Sequence, residues 1–377
     1  MVIFLIVIFL FLLSFLVLFR APTNLLWYVA ILVTEFCWLF VFLLLILLVW
    51  PADEIHGWPK MIIGFAALAI YLLPVIRAFC MNKALLKDFK AAFHTSTPKE
   101  KTLPFHPLRI ITGIAAKRVP FKSLIYDEAN GLSLHFYPSQ ITGKRPCVVV
   151  IHGGSWAGGH NMQLPELNSK LAIAGYHVAS IHYRLAPAHR YPCQLHDVSV
   201  ALDYLCSRAT TLSLDPTAFT LLGRSAGGQI ALSAAYTLAH KRIKSVIAFY
   251  APTDMIWGYE NKCNPLVLNS RKVMEDYLGG TLGEIRNKYY DSSPTEAVTS
   301  NAPPTLLLYG ENDPLVSPRH GNRLTRKLEE KGIKHFALYL PWATHGFDYT
   351  LNGPGGQLST WTVIRFLDSV HQNDGSV

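Results

Sequence analysis

From about residue 120 onward this chain is predicted to be an α/β domain, with a mostly parallel sheet of eight strands covered by helices. About three apolar helices are expected before it. Three observations carry the prediction. Short apolar runs alternate with stretches of helical spacing throughout the C-terminal part. Two of those runs, Cys147–Ile151 and Thr305–Tyr309, are apolar without interruption, the pattern of strands buried on both faces of a sheet. The N-terminal residues, by contrast, are apolar in longer blocks: residues 1–19 hold no charge, residues 25–50 hold only Glu35, and residues 61–76 hold none.

A helix that spans a bilayer needs about 20 mostly apolar residues. The first two blocks meet that length. The third is shorter and ends near Pro74, with Trp58 and Tyr71 placed as interfacial anchors. A cleaved signal peptide is the competing reading of residues 1–19. It calls for a positive n-region, and no Lys or Arg precedes Arg20. Residues 1–80 are therefore expected to be a transmembrane region of about three helices.

The chain carries a net charge of +9, and much of it is local. Lys83, Lys87, Lys90, Lys99, Lys101, Arg109, Lys117 and Arg118 face only Asp88 and Glu100 between residues 81 and 120. A basic cluster beside apolar spans orients a membrane protein, so nucleic-acid binding is not inferred from it. The cluster predicts a multi-pass protein with its catalytic domain in the cytoplasm and the Asp53–Glu54 loop outside. Within residues 81–119, a basic linker or cap, Leu85, Leu86, Phe89 and Phe93 share one helical face. That face suits either a membrane surface or the following domain. The six cysteines show no CxxC spacing, and free thiols are expected.

Strands are expected at 123–127, 132–137, 147–152, 177–183, 218–223, 245–250, 304–310 and 335–340. Helices are expected at 163–174, 194–208, 226–239, 270–278, 319–332 and 356–372. The long connection 252–302 is expected to fold as a lid or cap. Gly223-Arg224-Ser225-Ala226-Gly227-Gly228 follows an apolar strand and opens a helix, which is the setting that exposes a serine nucleophile on a tight elbow. His152-Gly153-Gly154-Ser155-Trp156 ends the third strand. Asp313 follows the strand 304–310, and His345 follows the last strand. The chain order Ser, Asp, His fits a hydroxyl nucleophile that needs a base, and a base that needs an orienting acid.

With these motifs the chain resembles the α/β-hydrolase superfamily, and within it the hormone-sensitive-lipase-like and BD-FAE-like carboxylesterases. The resemblance covers about residues 120–350. It is carried by His152–Trp156, Tyr183-Arg184-Leu185-Ala186-Pro187, Gly223–Gly228, Tyr309–Val316 and His345-Gly346-Phe347. Ser155, Arg224 and Ala188 depart from the hormone-sensitive-lipase-like pattern and favour the BD-FAE-like side. The resemblance implies Ser225 as nucleophile, His345 as base and Asp313 as acid, with Glu311 as the local rival for the acid. Oxyanion donors are expected from Ala226 N–H and from the turn after the third strand, through Gly154 and either Gly153 or Ser155, where His152 shapes the loop. Trp156 and Trp342 are expected to make the substrate pocket apolar. Such chemistry needs no cofactor, and no metal-ligand cluster is seen. The function read from the sequence is a membrane-anchored serine hydrolase of carboxylic esters. Its partners are a small-molecule or lipid ester and the membrane lipids. An amidase, peptidase or acyltransferase on the same fold is the alternative, as is a catalytically silent membrane scaffold.

Overall fold

The computed structural model describes residues 1–51, 54–93, 102–112, 117–238 and 241–371. Asp53 of the expected outer loop, and Lys99, Glu100 and Lys101 of the basic cluster, lie outside the described residues. The N-terminal region is built from α1 (Val2–Ser14), α2 (Asn24–Glu35), α3 (Cys37–Val49) and α4 (Glu54–Phe93). This differs from three separate spans. α1 has 13 residues, roughly 20 Å of helix, short of a hydrocarbon core about 30 Å thick. The apolar run 25–50 is two helices that meet at Phe36 with an 80° bend. The expected third span and the amphipathic stretch after it form the single 40-residue helix α4. Its segment Gly57–Phe93 is, among the described residues, the one unbroken helix long and apolar enough to cross a membrane.

Glu35, the residue just before the break at Phe36, is tied to the α/β domain. Its carboxylate accepts hydrogen bonds from the backbone N–H of Gly355 (2.9 Å) and Gly356 (3.3 Å). These N–H groups lie in the first turn of a long helix, where they have no partner within the helix. α2 is thereby fastened to the α/β domain. α1 and α3 both pack on α4. The Tyr71 hydroxyl donates to Leu10 O at 2.8 Å. Lys60 Nζ donates to the carbonyls of Leu47, Leu48 and Trp50 at the end of α3, an arrangement that caps the negative end of that helix.

The apolar face at the end of α4 packs on the α/β domain. Leu85 and Phe89 are buried. Phe89 meets Phe336 and Trp361 edge-on, and Phe93 meets Phe366. A short helix, α5 (Arg109–Thr112), then leads to the sheet.

The eight strands are β1 (Lys122–Asp127), β2 (Leu132–Tyr137), β3 (Arg145–Ile151), β4 (His177–Ile181), β5 (Leu214–Arg224), β6 (Ile243–Phe249), β7 (Thr305–Gly310) and β8 (His335–Leu340). They lie in the order β1-β2-β4-β3-β5-β6-β7-β8. β2 runs antiparallel to both of its neighbours, and the remaining pairings are parallel. All eight predicted strands are present, although β5 begins at Leu214, ahead of the expected 218. Cys147–Ile151 and Thr305–Gly310 are buried along their whole length, as unbroken apolar runs require.

The predicted helices correspond to α6 (Pro165–Ile173), α7 (Cys193–Ser207), α9 (Ala226–Thr237), α11 (Ser270–Leu278), α14 (Arg319–Glu330) and α15 (Pro354–His371), with the short α8 (Ala209–Leu212) after α7. The connection 252–302 also holds α10 (Met255–Glu260), α12 (Arg286–Asp291) and α13 (Pro294–Ala297). All six cysteines are free thiols.

Candidate active site

The turn from β5 into α9 places Ser225 at φ 51°, ψ −121°, a conformation that costs a non-glycine residue energy and persists only where the surroundings hold it. Three backbone bonds hold it: Ser225 N to Phe249 O and Gly228 N to Ser225 O, each 2.9 Å, and Gln229 N to Ser225 O at 3.1 Å. A Cβ at Gly223 would stand 2.1 Å from Gly227 O. One at Gly227 would stand 2.3 Å from the carbonyls of both Ile151 and His152. No larger residue fits at either place without moving backbone, so the two glycines set how tightly strand and helix pass.

Asp313 follows β7 and is buried. Its Oδ1 accepts from Leu315 N and Val316 N at 2.8 and 2.9 Å. Its Oδ2 lies 2.6 Å from His345 Nδ1. The carboxylate is thus held by backbone donors and aimed at the imidazole. Glu311 is exposed; its N–H donates to Leu340 O and its carbonyl accepts from Arg20. Asp313 is the acid that meets the ring. His345 lies in the loop between β8 and α15, with its ring centroid 4.3 Å from that of Tyr250. The hydrogen bonds of the described residues join His345 to Asp313 but not to Ser225. In unliganded active sites a nucleophile–base bond is often long and tightens only with substrate.

At the end of β3, Gly154, Ser155 and Trp156 take φ 129°, 54° and 60° in succession. Gly154 is required there, since a Cβ would meet Gly158 O at 2.2 Å. The expectation for Gly153 is modified. Its N–H donates to Gln163 Oε1 at 2.7 Å and is not free for a substrate. Among the described residues, no protein acceptor takes the N–H of Gly154, Ser155 or Ala226. His152 is held inside the fold, with Nδ1 2.9 Å from Gly153 O and Nε2 3.2 Å from His182 Nδ1. Burial pushes its pKa down to about 4, so it is a neutral support of the loop.

Ser155, Trp156, Ser225, Ala226 and Asp313 line a cavity of about 640 Å³. The segment 252–302 contributes Met255, Trp257 and Met274 to the wall, and the link between α1 and α2 contributes Arg20, Ala21 and Pro22. Trp156 stacks on Tyr277 with centroids 4.4 Å apart and donates to Gln229 Oε1 at 2.9 Å. Trp342 departs from expectation. It follows β8 directly, is fully buried in the hydrophobic core and does not line this cavity. Among the described residues no cluster of three His, Cys, Asp or Glu could hold a metal ion.

Sequence reading missed several supports. Arg224, noted only as a departure, pairs in the interior with Asp348 at 2.5 Å, and the Tyr250 hydroxyl donates to the other Asp348 oxygen at 2.6 Å. The residue before Ser225 is thereby tied to the loop that carries His345. Gln163 and Trp27 carried no motif. Glu35, a lone acid in an apolar run, was a signal that a partner must exist.

Residues 134–328 match the BD-FAE family model, and the chain belongs to that family. It is 28% identical over 270 residues to the probable carboxylic ester hydrolase LipM of Mycobacterium tuberculosis, covering 67% of this chain and 61% of that protein. It is 31% identical over 272 residues to the isoprenylcysteine alpha-carbonyl methylesterase ICME of Arabidopsis thaliana, covering 67% of this chain and 63% of ICME. The chain therefore spans about three fifths of the length of these relatives. The solved esterase of Pyrobaculum calidifontis shares the α/β-hydrolase fold, with a TM-score of 0.61 at 19% identity over 79% of this chain and 97% of its own.

Proposed function

We propose that this chain is a membrane-anchored serine hydrolase that cleaves carboxylic esters through Ser225, His345 and Asp313. The observation that carries the reading is the 2.6 Å contact of His345 Nδ1 with a buried Asp313 carboxylate, beside a serine held in a strained elbow that opens into the same cavity. His345 takes the Ser225 proton as Oγ attacks the ester carbonyl, and Asp313 keeps the ring in the tautomer that can do so. The N–H groups of Ala226, Gly154 and Ser155 stabilise the oxyanion. The alcohol leaves with the proton from His345, and water then releases the acyl group by the reverse sequence. Similarity to named esterases and to their fold supports the class of reaction.

A lipophilic ester is the proposed substrate class. The cavity wall includes Arg20–Pro22, the link between two apolar helices, and the relative ICME is named for an ester next to an isoprenyl group. α4 is proposed to cross the bilayer with α1 and α3 packed on it, and the α/β domain to lie in the cytoplasm. The segment 252–302 is proposed as the lid.

The test uses the full-length protein in detergent. A fluorophosphonate probe is expected to label the wild type and not Ser225→Ala, and turnover of p-nitrophenyl esters is expected to rise with acyl length before it falls. His345→Ala is expected to leave only background turnover. Asp313→Asn is expected to lose about 10⁴ in kcat through the wrong tautomer, with Glu311→Gln near wild type. Full activity in Ser225→Ala overturns the reading.

A further inference from the structure

We propose that Trp27, from the helix expected to lie in the membrane, is a positioning residue for His345. The inference rests on His345 acting as the base, as read above. Residues 17–35 form a strap bonded to both loops that carry the acid and the base. Asn312 Nδ2 donates to Val17 O at 3.0 Å. Arg20 Nη2 donates to Glu311 O at 3.1 Å. These contacts flank the turn that aims Asp313. Further along, Trp27 Nε1 donates to the backbone carbonyl of His345 at 2.9 Å, and its ring meets the imidazole edge-on with centroids 5.9 Å apart. Ile31 packs beside Gly346. Glu35 then anchors the N-terminus of α15, downstream of the same loop.

From the domain side the loop around His345 is held by the Tyr250 ring and by the Asp348 pair with Arg224. Gly346 sits at φ 83°, so the chain turns sharply just past the base. Among the described residues, the Trp27 indole is the only donor to the His345 carbonyl. Asp313 fixes Nδ1 and Asp348 fixes the loop three residues further on, but neither holds the His345 carbonyl. Trp27 supplies that fixed point, from α2, which Glu35 also ties to the N-terminus of α15. Displacement of a reacting group by about 1 Å can cost up to about 10²-fold in rate. A strap held at five places between residues 17 and 35 limits that displacement. Trp27 is not among the residues that line the cavity, so its effect is expected on the geometry of the base and not on substrate binding.

The test compares Trp27→Phe, which keeps an aromatic ring and deletes the N–H, with Trp27→His, which keeps a ring N–H. Full-length proteins in detergent are assayed for kcat and KM on p-nitrophenyl esters, for the rate of fluorophosphonate labelling and for thermal unfolding. Trp27→Phe is expected to lower kcat about tenfold, the scale of one hydrogen bond, with KM within about twofold. Labelling is expected to slow by the same factor as kcat, the unfolding temperature to stay near wild type, and Trp27→His to recover most of the loss. Wild-type kcat in Trp27→Phe overturns the proposal. So does an equal loss in both variants, or a loss that only tracks the folded fraction, since either outcome assigns Trp27 to packing. If the wild type itself fails to label, the serine-hydrolase reading fails. If it labels and Trp27→Phe labels equally fast, only the strap is at fault.

Discussion

Arg224 is buried beside Ser225, and its charge is met by Asp348, which also accepts from Tyr250. Taking one partner from a buried pair strands the other charge, at a cost of about 3–5 kcal/mol. Arg224→Met is therefore expected to lower unfolding stability by about that amount. The double variant Arg224→Met with Asp348→Asn is expected to recover much of it, as measured by denaturant unfolding in detergent. Two other buried side chains contribute to the response to acid. Burial pushes both His152 and His320 down to about 4 from 6.5. The unfolded chain therefore binds these protons first. Stability is full above about pH 6.5 and falls as the pH drops toward 4, by up to about 1.4 kcal/mol per pH unit for each ring. His320 Nδ1 accepts from Thr253 N at 3.2 Å, so the ring must stay neutral on that side. His320→Gln is expected to flatten the decline between pH 6.5 and 4, as read from unfolding temperatures.

At the scale of elements, the strands and the residues at their ends were legible because their causes are local. An unbroken apolar run such as Cys147–Ile151 has no other stable place than a covered sheet, and Ser225, Asp313 and His345 each follow such a run. What was not legible is set by contacts distant in sequence. Trp27 and His345 are 318 positions apart, and no periodicity in residues 25–50 announces that Glu35 will be drawn to Gly355. Hydropathy sees apolar content and not direction, so it counted α2 with α3 as one span. The choice between Gly153 and Ser155 was hidden for a different reason: Gln163, which takes the Gly153 N–H, is near in sequence but belongs to no motif. The same logic bears on where the α/β domain begins. Sequence composition places the boundary at residue 120, yet Phe89 and Phe93 cover Phe336, Trp361 and Phe366, and residues 17–35 bind the site loops. A chain beginning at residue 120 is expected to expose that aromatic surface and aggregate. Any monodisperse fraction is expected to label with fluorophosphonate more slowly than full-length protein. Size-exclusion chromatography with labelling of the monomer peak measures both.

For the whole molecule, the packing of α1, α3 and α4 restricts the topology. Lys60 binds the carbonyls at the end of α3, which puts that end beside the start of α4. Tyr71, three turns further along α4, reaches Leu10, and Val17 lies against Asn312 of the catalytic domain. One end of the bundle thus faces the α/β domain and the other points away from it. Residues 20–22 line the cavity and must share a compartment with Ser225, whatever number of helices is embedded. α4 is the segment with the length to cross, and its C-terminal part carries Lys83, Lys87 and Lys90, which favour the cytoplasm. Reporter fusions at residues 22 and 95 are therefore expected to give the same, cytoplasmic, signal, with the opposite signal at residue 55. Matching signals at all three sites would mean that α3 and the start of α4 lie in one leaflet as a hairpin. Opposite signals at 22 and 95 are incompatible with the bond between Val17 and Asn312, because the strap and the domain it grips would then stand on different sides of the bilayer.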